Sequence, residues 1–497
     1  MIAPADLNVI DPIIEQAARQ PEATAIVQAE GTVDFAGFAG ALAGVAAGLE
    51  AAGVPRGAVV AVIAGEAYES FRAMLGVMLG GRVLLALDRD MTAGEVQRLV
   101  AVTGAAALIA DDRGDAPPGV RVLRLADLPR CGDPARERAP GGERVAQIVV
   151  SSGTTGPSKA APATHRELAL RIADRARESG IDATTCHRPV IGMGFVLGRY
   201  PAMRTLNAGG RVIFRPLGAS VPELVASFAA DGVTYLALTP SHVSSLLEAL
   251  PPGDGPALPT VRTLTVASAA LPKATRRAVL DRLTPNLHIA YASNEVGPIT
   301  HAQPEALAGR LMTVGRALAG VAIEIVDEAG RPLPTGEIGE IRVQTPSMTR
   351  AYIGDDAAGR AIRDGWFHMG DTGHLDEGGY LYLHGRTDDR INCGGRKLYA
   401  FEIEDALLAH PAVAEAAATG VPSKRHQEVP VAAVVLRHPA RVVELVAHCR
   451  TRLEPWKMPR RLRILPELPR TPNRKVSRVE LRRILTAPPE RRRKETS

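Results

Sequence analysis

The chain has 497 residues, enough for a large core and more than one domain. With 46% hydrophobic and 23% charged residues, it is neither a disordered nor a fibrous chain. Of its 59 Lys and Arg, 16 fall in residues 450–497 beside only 5 of the 54 Asp and Glu, so the end is basic and the remainder mildly acidic. Such an end can meet nucleic acid, an acidic carrier protein or the phosphates of a nucleotide, and its last stretch after Pro488 and Pro489 is expected to fray.

Residues 1–6 show no signal-peptide pattern, and the uncharged stretches 35–49 and 232–247 are too short to span a bilayer. Cys131, Cys186, Cys393 and Cys449 lack metal-ligand spacing. A cytoplasmic protein with reduced thiols is the expectation.

In chain order, residues 8 to about 130 alternate helical and strand patterns. Helices are expected at 9–18, 35–52 and 68–80, and strands at 25–27, 57–64 and 83–87, the last ending at Asp88. Residues 132–143, charged and rich in Gly and Pro, read as a surface connection. A helix is expected over 164–179, opened by Thr164 with Glu167 three residues later, the spacing of a capping box. Residues 190–197 are apolar and glycine-punctuated, and 200–208 look helical. Strand candidates at 210–214, 234–238, 264–267 and 287–291 then alternate with helices at 221–231, 241–250 and 273–283. The fold class expected is α/β, with doubly wound βαβ layers filling a large N-terminal region.

From about residue 315 the pattern changes. Residues 321–327, 339–344 and 379–384 alternate or run apolar between Gly, Pro and Asp turns, as in a β-rich subdomain. Beyond Gly385 a basic turn, a helix at 400–409, strands at 414–421 and 429–436 and a helix at 442–453 predict a small α+β C-terminal domain. The expected division is 1–387 and 388–497, with a hinge at Asp388.

One stretch organises the rest. The apolar run Ile148, Val149, Val150 leads into Ser151, Ser152, Gly153, Thr154, Thr155, Gly156, Pro157, Ser158 and Lys159. A loop with five hydroxyls, two glycines, a lysine and no bulky side chain can turn backbone N–H groups, hydroxyls and an ammonium onto a multiply charged anion. It can equally be a plain strand-to-helix turn. It is not the common phosphate loop, which needs four residues between its glycines.

This loop resembles the signature phosphate loop of the adenylate-forming superfamily: acyl- and aryl-CoA synthetases, nonribosomal peptide synthetase adenylation domains and luciferases. Further segments fall in that superfamily's order over essentially the whole chain. Residues 267–272 resemble its adenine-side loop, and 291–295 (Tyr, Ala, Ser, Asn, Glu) its Tyr-Gly-x-Thr-Glu. Residues 366–371 resemble Trp-x-x-Thr-Gly-Asp, 385–404 the hinge segment, and 469–478 Pro-x-Thr-x-x-Gly-Lys-x-x-Arg. Asn294, Met369 and Arg474 depart from the usual Thr, Thr and Gly.

The resemblance implies a set of roles. Ser151, Ser152, Gly153, Thr154, Thr155 and Lys159 would hold the phosphates of ATP, with Asn294 and Lys397 near them. Ala269 and Tyr291 would lie against adenine. Asp371 would accept from the ribose hydroxyls, Arg386 would contact ribose or phosphate, and Glu295 would hold Mg²⁺, a hard cation that prefers oxygen ligands. Lys475 would be the catalytic lysine at the α-phosphate, Asp388 the hinge, and Gly394 and Gly395 the lining of a thiol tunnel. The acyl pocket would take Met193, Gly194, Phe195, His242, Ala267 and Ser268. No acid occurs in 192–198, which disfavours an α-amino acid and leaves an aryl or short acyl acid.

The implied reaction is ATP-dependent activation of that acid, with pyrophosphate released and the acyl group passed to CoA. A carrier-protein phosphopantetheine or an amine is the alternative acceptor, and a non-catalytic nucleotide-binding relative the second alternative. No nucleic-acid or membrane partner is expected.

Overall fold

The computed structural model describes residues 6–111, 119–151, 159–218, 220–250, 255–354, 361–423, 425–470 and 476–487. Among these residues the alternating pattern resolves into two large sheets rather than one. The first has nine strands; its centre (Leu287–Ser293, Thr263–Val266, Tyr235–Leu238, Cys186–His187, Arg211–Ile213 and Thr24–Val27) is parallel. Antiparallel strands close both of its edges. The second has six strands in the order Arg121–Arg124, Ala107–Ala110, Val59–Ile63, Val83–Ala86, Val145–Ser151 and Lys159–Thr164, parallel except for the last pair.

Helices fill the space between the sheets. Phe35–Ala51 is apolar nearly all round and buried along most of its length, as a helix packed on several sides must be. Gly44 permits one of those contacts, since a Cβ there would stand 2.4 Å from the carbonyl oxygen of Pro129. Together with Ala67–Leu79 and Val196–Asn207 it forms a core that both sheets share, containing Phe38, Phe71, Leu84, Met203 and Val212. The capping box read at Thr164 is present in full. Its hydroxyl accepts from the Glu167 N–H at 3.1 Å, and the Glu167 carboxylate accepts from the Thr164 N–H at 2.9 Å.

The β-rich part is an antiparallel sheet of Ala322–Val326, Gly339–Gln344, Trp366–Leu375, Ile362–Arg363 and Leu381–Arg386. After the short turn Thr387–Asp389, a fourth sheet begins at Arg390. Its long pair Val413–Ser423 and Gln427–Leu436 packs on the helices Ala400–Leu408 and Val442–Arg450 around a separate core that includes Ile391, Leu398, Ile403, Val434 and Leu445. All four cysteines are free thiols. No helix of the described residues is long and apolar enough to cross a membrane.

Candidate functional site

The Ser/Gly/Thr stretch joins two antiparallel strands, paired up to Ser151 and Lys159. The two strands are the arms of a hairpin, and the second stands between this stretch and the helix His165–Glu178, which the sequence pattern did not disclose. Ser152, Gly153, Thr154 and Thr155 lie outside the described residues, as does the side chain of Ser151. Lys159, at the hairpin's return, stands half-buried with its ammonium 5.3 Å from the Tyr352 ring centroid.

Several bonds join this hairpin to the segment after Tyr291. The Asn294 side-chain amide donates to the Val150 carbonyl at 3.0 Å, immediately before the loop. The Thr349 hydroxyl donates to Pro162 on the returning strand at 3.0 Å, and the Thr349 N–H donates to the Glu295 carbonyl at 2.7 Å. Beneath them Arg171, 1% exposed, donates to Ser347 O at 2.9 and 2.6 Å, to Asn294 O at 3.1 Å and to Glu295 O at 3.0 Å. Its aliphatic stem crosses Gly297, where a Cβ would meet Arg171 Cγ at 2.6 Å and where φ is +86°. Only glycine fits that crossing without strain.

A second group meets the same segment from the antiparallel sheet. The Tyr291 hydroxyl donates to one Asp371 oxygen at 2.5 Å, and Arg386 donates to the other at 2.9 Å and to Met369 O at 3.0 Å. Burial, then the negative charge of Asp371, pushes the Tyr291 phenol well above its ordinary pKa, so it stays a donor. Burial opposes the charge on Arg386, but Asp371 together with Tyr291 and Asp388 outweighs it and holds the guanidinium above its ordinary value. Each carboxylate oxygen of Asp371 retains further acceptor capacity for ribose hydroxyls.

The half-buried Glu295 carboxylate makes no hydrogen bond or ion pair with any described residue. No group of three or more His, Cys, Asp or Glu able to hold a metal occurs among the described residues. A single free carboxylate, next in sequence to the amide that holds Val150, suits Mg²⁺, which usually takes one or two carboxylates and completes its shell with phosphate and water oxygens.

The adenine-side loop follows the strand Thr263–Val266. Ala267 is buried, Ser268 and Ala269 are exposed, and Ser268 has φ +82°, a left-handed conformation uncommon for a residue with a side chain. His242 opens the helix Pro240–Ala249, with its Nδ1 2.6 Å from the Thr239 hydroxyl. In the segment expected to line the acyl pocket, Met193 turns into the shared core while Phe195 is 41% exposed. Gly194 leaves no room for a side chain, since a Cβ would stand 2.8 Å from Leu87 O and 3.0 Å from Asp88 Cα. The Asp88 carboxylate stands 3.4 Å from where a Gly192 Cβ would be. An acid thus reaches this segment from a distant strand, and sequence reading of 192–198 alone missed it. Burial raises the Asp88 pKa.

Asp388 lies in the turn Thr387–Asp389. Beside it Arg478 pairs with Asp389 at 3.6 Å and with Glu404. Gly394 and Gly395, with φ +61° and +81°, make the exposed two-residue turn between Arg390–Cys393 and Arg396–Tyr399. Lys397 is not joined to the Tyr291–Asp371–Arg386 chain; its ammonium donates to Glu328 at 2.6 Å, with Arg390 on the same carboxylate oxygen at 2.8 Å. Lys475 lies outside the described residues.

Two α/β sheets, a β-rich subdomain and a small C-terminal unit, with a phosphate-type hairpin beside a Tyr–Asp–Arg chain, define an enzyme of the adenylate-forming class. The chain belongs to the AMP-binding enzyme family, whose description matches residues 13–353, followed by the AMP-binding enzyme C-terminal domain over 402–475. It is 31% identical to the 2-succinylbenzoate–CoA ligase of Geobacillus kaustophilus over 95% of this chain and 97% of that one. The o-succinylbenzoate CoA synthetase of Bacillus subtilis, solved with its acyl-adenylate intermediate, has a TM-score of 0.84 at 25% identity, covering 96% of this chain and 98% of that one. The amide bond synthetase McbA of Marinactinospora thermotolerans has a TM-score of 0.84 at 25% identity, covering 96% and 99%.

Proposed function

We propose that this protein activates a small carboxylic acid with ATP and Mg²⁺ to an acyl adenylate, releases pyrophosphate and passes the acyl group to CoA. The observation that carries the reading is the meeting of three sheets at one place: the phosphate-type hairpin tied through Asn294, Glu295 standing free beside it, and Tyr291 bonded to Asp371. Relatives named for 2-succinylbenzoate–CoA ligation support an aryl or short acyl acid and CoA as acceptor.

A carboxylate is a poor acylating agent because its leaving group would be an oxide. Attack on the α-phosphate exchanges that oxide for AMP. Residues 151–155 and Lys159 surround the phosphates, and Glu295 holds Mg²⁺, which offsets charge on the phosphate oxygens. Tyr291 and Ala269 flank adenine, and Asp371 and Arg386 take the ribose. Lys475 neutralises charge that develops at the α-phosphate, and such electrostatic stabilisation is commonly the largest single catalytic contribution. Asn294 keeps its post as an amide by holding Val150, and the buried Met369 contributes its carbonyl to Arg386.

Residues 388–497 then turn about Asp388, withdrawing Lys475 and bringing the Gly394–Gly395 turn to the acyl adenylate to admit the thiol. In this reading Lys397 leaves Glu328 when it approaches phosphate. The protein acts in the cytoplasm, without nucleic-acid or membrane partners. Structural likeness to an amide bond synthetase supports a second reading, in which an amine takes the acyl group; a carrier-protein thiol is a third acceptor.

A panel of aryl and short-chain acids, assayed for pyrophosphate release with ATP and Mg²⁺, tests the activation step. Product analysis with CoA, an amine and a phosphopantetheinylated carrier then selects the acceptor. The expected result is acid-dependent release and an acyl-CoA product. No release with any acid would leave a nucleotide-binding protein without this chemistry.

A further inference from the structure

The adenylate site lies beyond the C-terminal ends of the parallel strands in the nine-stranded sheet. A different polar group lies toward their N-terminal ends, and the reaction leaves it unused. Arg175 from the helix His165–Glu178 and Arg204 from the helix Val196–Asn207 meet the sheet residues His187, Tyr235, His288 and His301. His288 Nδ1 is 2.9 Å from His301 Nε2, His187 packs edge-on against Tyr235, and Arg204 Nε donates to Ile172 O at 3.3 Å. Thr265 stands beside His288 in the register of the sheet. All seven residues are buried.

Several polar atoms here have no partner among the described residues. Arg175 Nε and NH2, His187 Nε2, His301 Nδ1, the Tyr235 hydroxyl and the Thr265 hydroxyl make no hydrogen bond to the described residues. Two other buried guanidinium groups are met by carbonyl oxygens, Arg171 by three and Arg276 by those of Leu271, Leu311 and Thr313, and Arg199, which also has two nitrogens without a partner, still donates to Met193 O. Arg175 has no such partner. Its neighbour Glu178, one turn along the helix, accepts instead from Gln303 at 3.3 Å.

Arginine keeps its proton in proteins, so two guanidinium groups here mean two buried positive charges. Burial followed by the charge of Arg204 lowers the Arg175 pKa to about 9, which leaves it charged at neutral pH. No ion pair joins either to a carboxylate among the described residues, and an uncompensated buried charge is strongly destabilising. A negative counter-charge among these groups would offset that cost. A narrow cleft lined by Ser179, Thr185, Thr234, Tyr235, Arg262 and Thr263, which touches the group at Tyr235 alone, opens at this end of the sheet with room for about one water-sized particle.

We propose that this group of residues binds one small monovalent inorganic anion of halide size, held by the Arg175 and Arg204 guanidinium groups with N–H and O–H donors from His301, Tyr235 and Thr265; His187 is oriented beside them by its Nδ1–H, which donates to the Tyr235 carbonyl at 3.1 Å. The anion is a structural counter-charge for the sheet. His288 precedes Tyr291 by three residues on the same strand, about 10 Å away, so the site anchors the root of a strand whose tip carries the adenylate site.

The test compares thermal unfolding of the full chain in sodium chloride and in sodium gluconate at equal ionic strength, for the native protein and for Arg175→Met. The native melting temperature should be higher in chloride by about 2–3 °C relative to the variant's response. In gluconate the variant should be no less stable than the native protein, because it has lost the unneutralised charge. Equal responses to chloride in both proteins would overturn the proposal and leave buried water as the occupant. As a check that needs no variant, crystals soaked in bromide should show an anomalous peak between Arg175 and Arg204; no peak there would also overturn it.

Discussion

Arg171 holds no ligand in the proposed reaction, yet replacing it should damage activation severely. Its guanidinium donates to three carbonyls, the buried one of Ser347 and the partly buried ones of Asn294 and Glu295. Arg171→Met keeps the stem over Gly297 but strands the Ser347 and Asn294 acceptors, while the Glu295 carbonyl keeps the Thr349 N–H. An unsatisfied buried acceptor costs about 1–3 kcal/mol, so for two of them the local loss is roughly 2–4 kcal/mol after allowing for partial relaxation and water entry. One stranded group belongs to the turn that carries the Glu295 carboxylate and the Asn294 amide, and the other to the segment that Thr349 ties to that turn. If about 3 kcal/mol of that loss must be recovered each time the turn takes its working shape, acid-dependent ATP–pyrophosphate exchange falls roughly 10²-fold.

The apparent affinity for Mg²⁺ should weaken in parallel, because Glu295 is the proposed metal ligand. A lysine at position 171 supplies one ammonium without the planar fork, so Arg171→Lys should recover only part of the loss. Exchange would be measured at saturating ATP over a Mg²⁺ titration, with circular dichroism reporting the fold. A folded Arg171→Met protein with native exchange and an unchanged Mg²⁺ dependence would refute the reasoning.

Three more outcomes are expected. Lys475→Ala should lower ATP–pyrophosphate exchange by on the order of 10²-fold or more without shifting the melting temperature; normal exchange would remove that lysine from the α-phosphate. Asp388→Pro should spare pyrophosphate release and slow acyl-CoA formation in single-turnover experiments, whereas equal loss of both steps would count against a hinge at this position. Burial lowers His165, His187 and His288 to a pKa of about 4, and His165 Nδ1 accepts from the Val9 N–H at 3.1 Å. Between that value and the ordinary 6.5, the unfolded chain binds more protons than the native one. The stability these histidines contribute is complete above pH 6.5 and is lost as the pH falls toward 4, so melting temperatures should decline over that interval; a flat profile would contradict neutral, buried imidazoles.

Local signals in the sequence were reliable where local physics decides. The Thr164 and Glu167 spacing gave a complete capping box, and the βαβ alternation gave parallel strands within one or two residues of their observed ends. The motif order also brought Tyr291, Asn294, Glu295, Asp371 and Arg386 into one neighbourhood. What was not legible depends on contacts across the chain. Arg171 reads as one more basic residue on a polar helix face, and nothing nearby in sequence announces the three carbonyls it meets. The strand Lys159–Thr164 contains Pro162 and little apolar patterning, so pairing with Val145–Ser151 had to come from tertiary context. Asp88 is a strand-end acid in sequence; its place against Gly192 follows from packing between two segments about a hundred residues apart. The split of one apparent doubly wound array into two sheets is likewise invisible to a pattern that reports only the alternation of elements.

The proposed nucleotide pocket takes a loop from one sheet, a tyrosine from a second and an aspartate from a third, and this has a consequence for how the molecule matures. A chain with any one of those layers undocked has no complete pocket, so ATP distinguishes the finished protein from every partly assembled form. By mass action, ATP at a hundred times its dissociation constant would then favour the finished form by about 2.7 kcal/mol. The substrate therefore doubles as a ligand that ratchets the last docking step of folding.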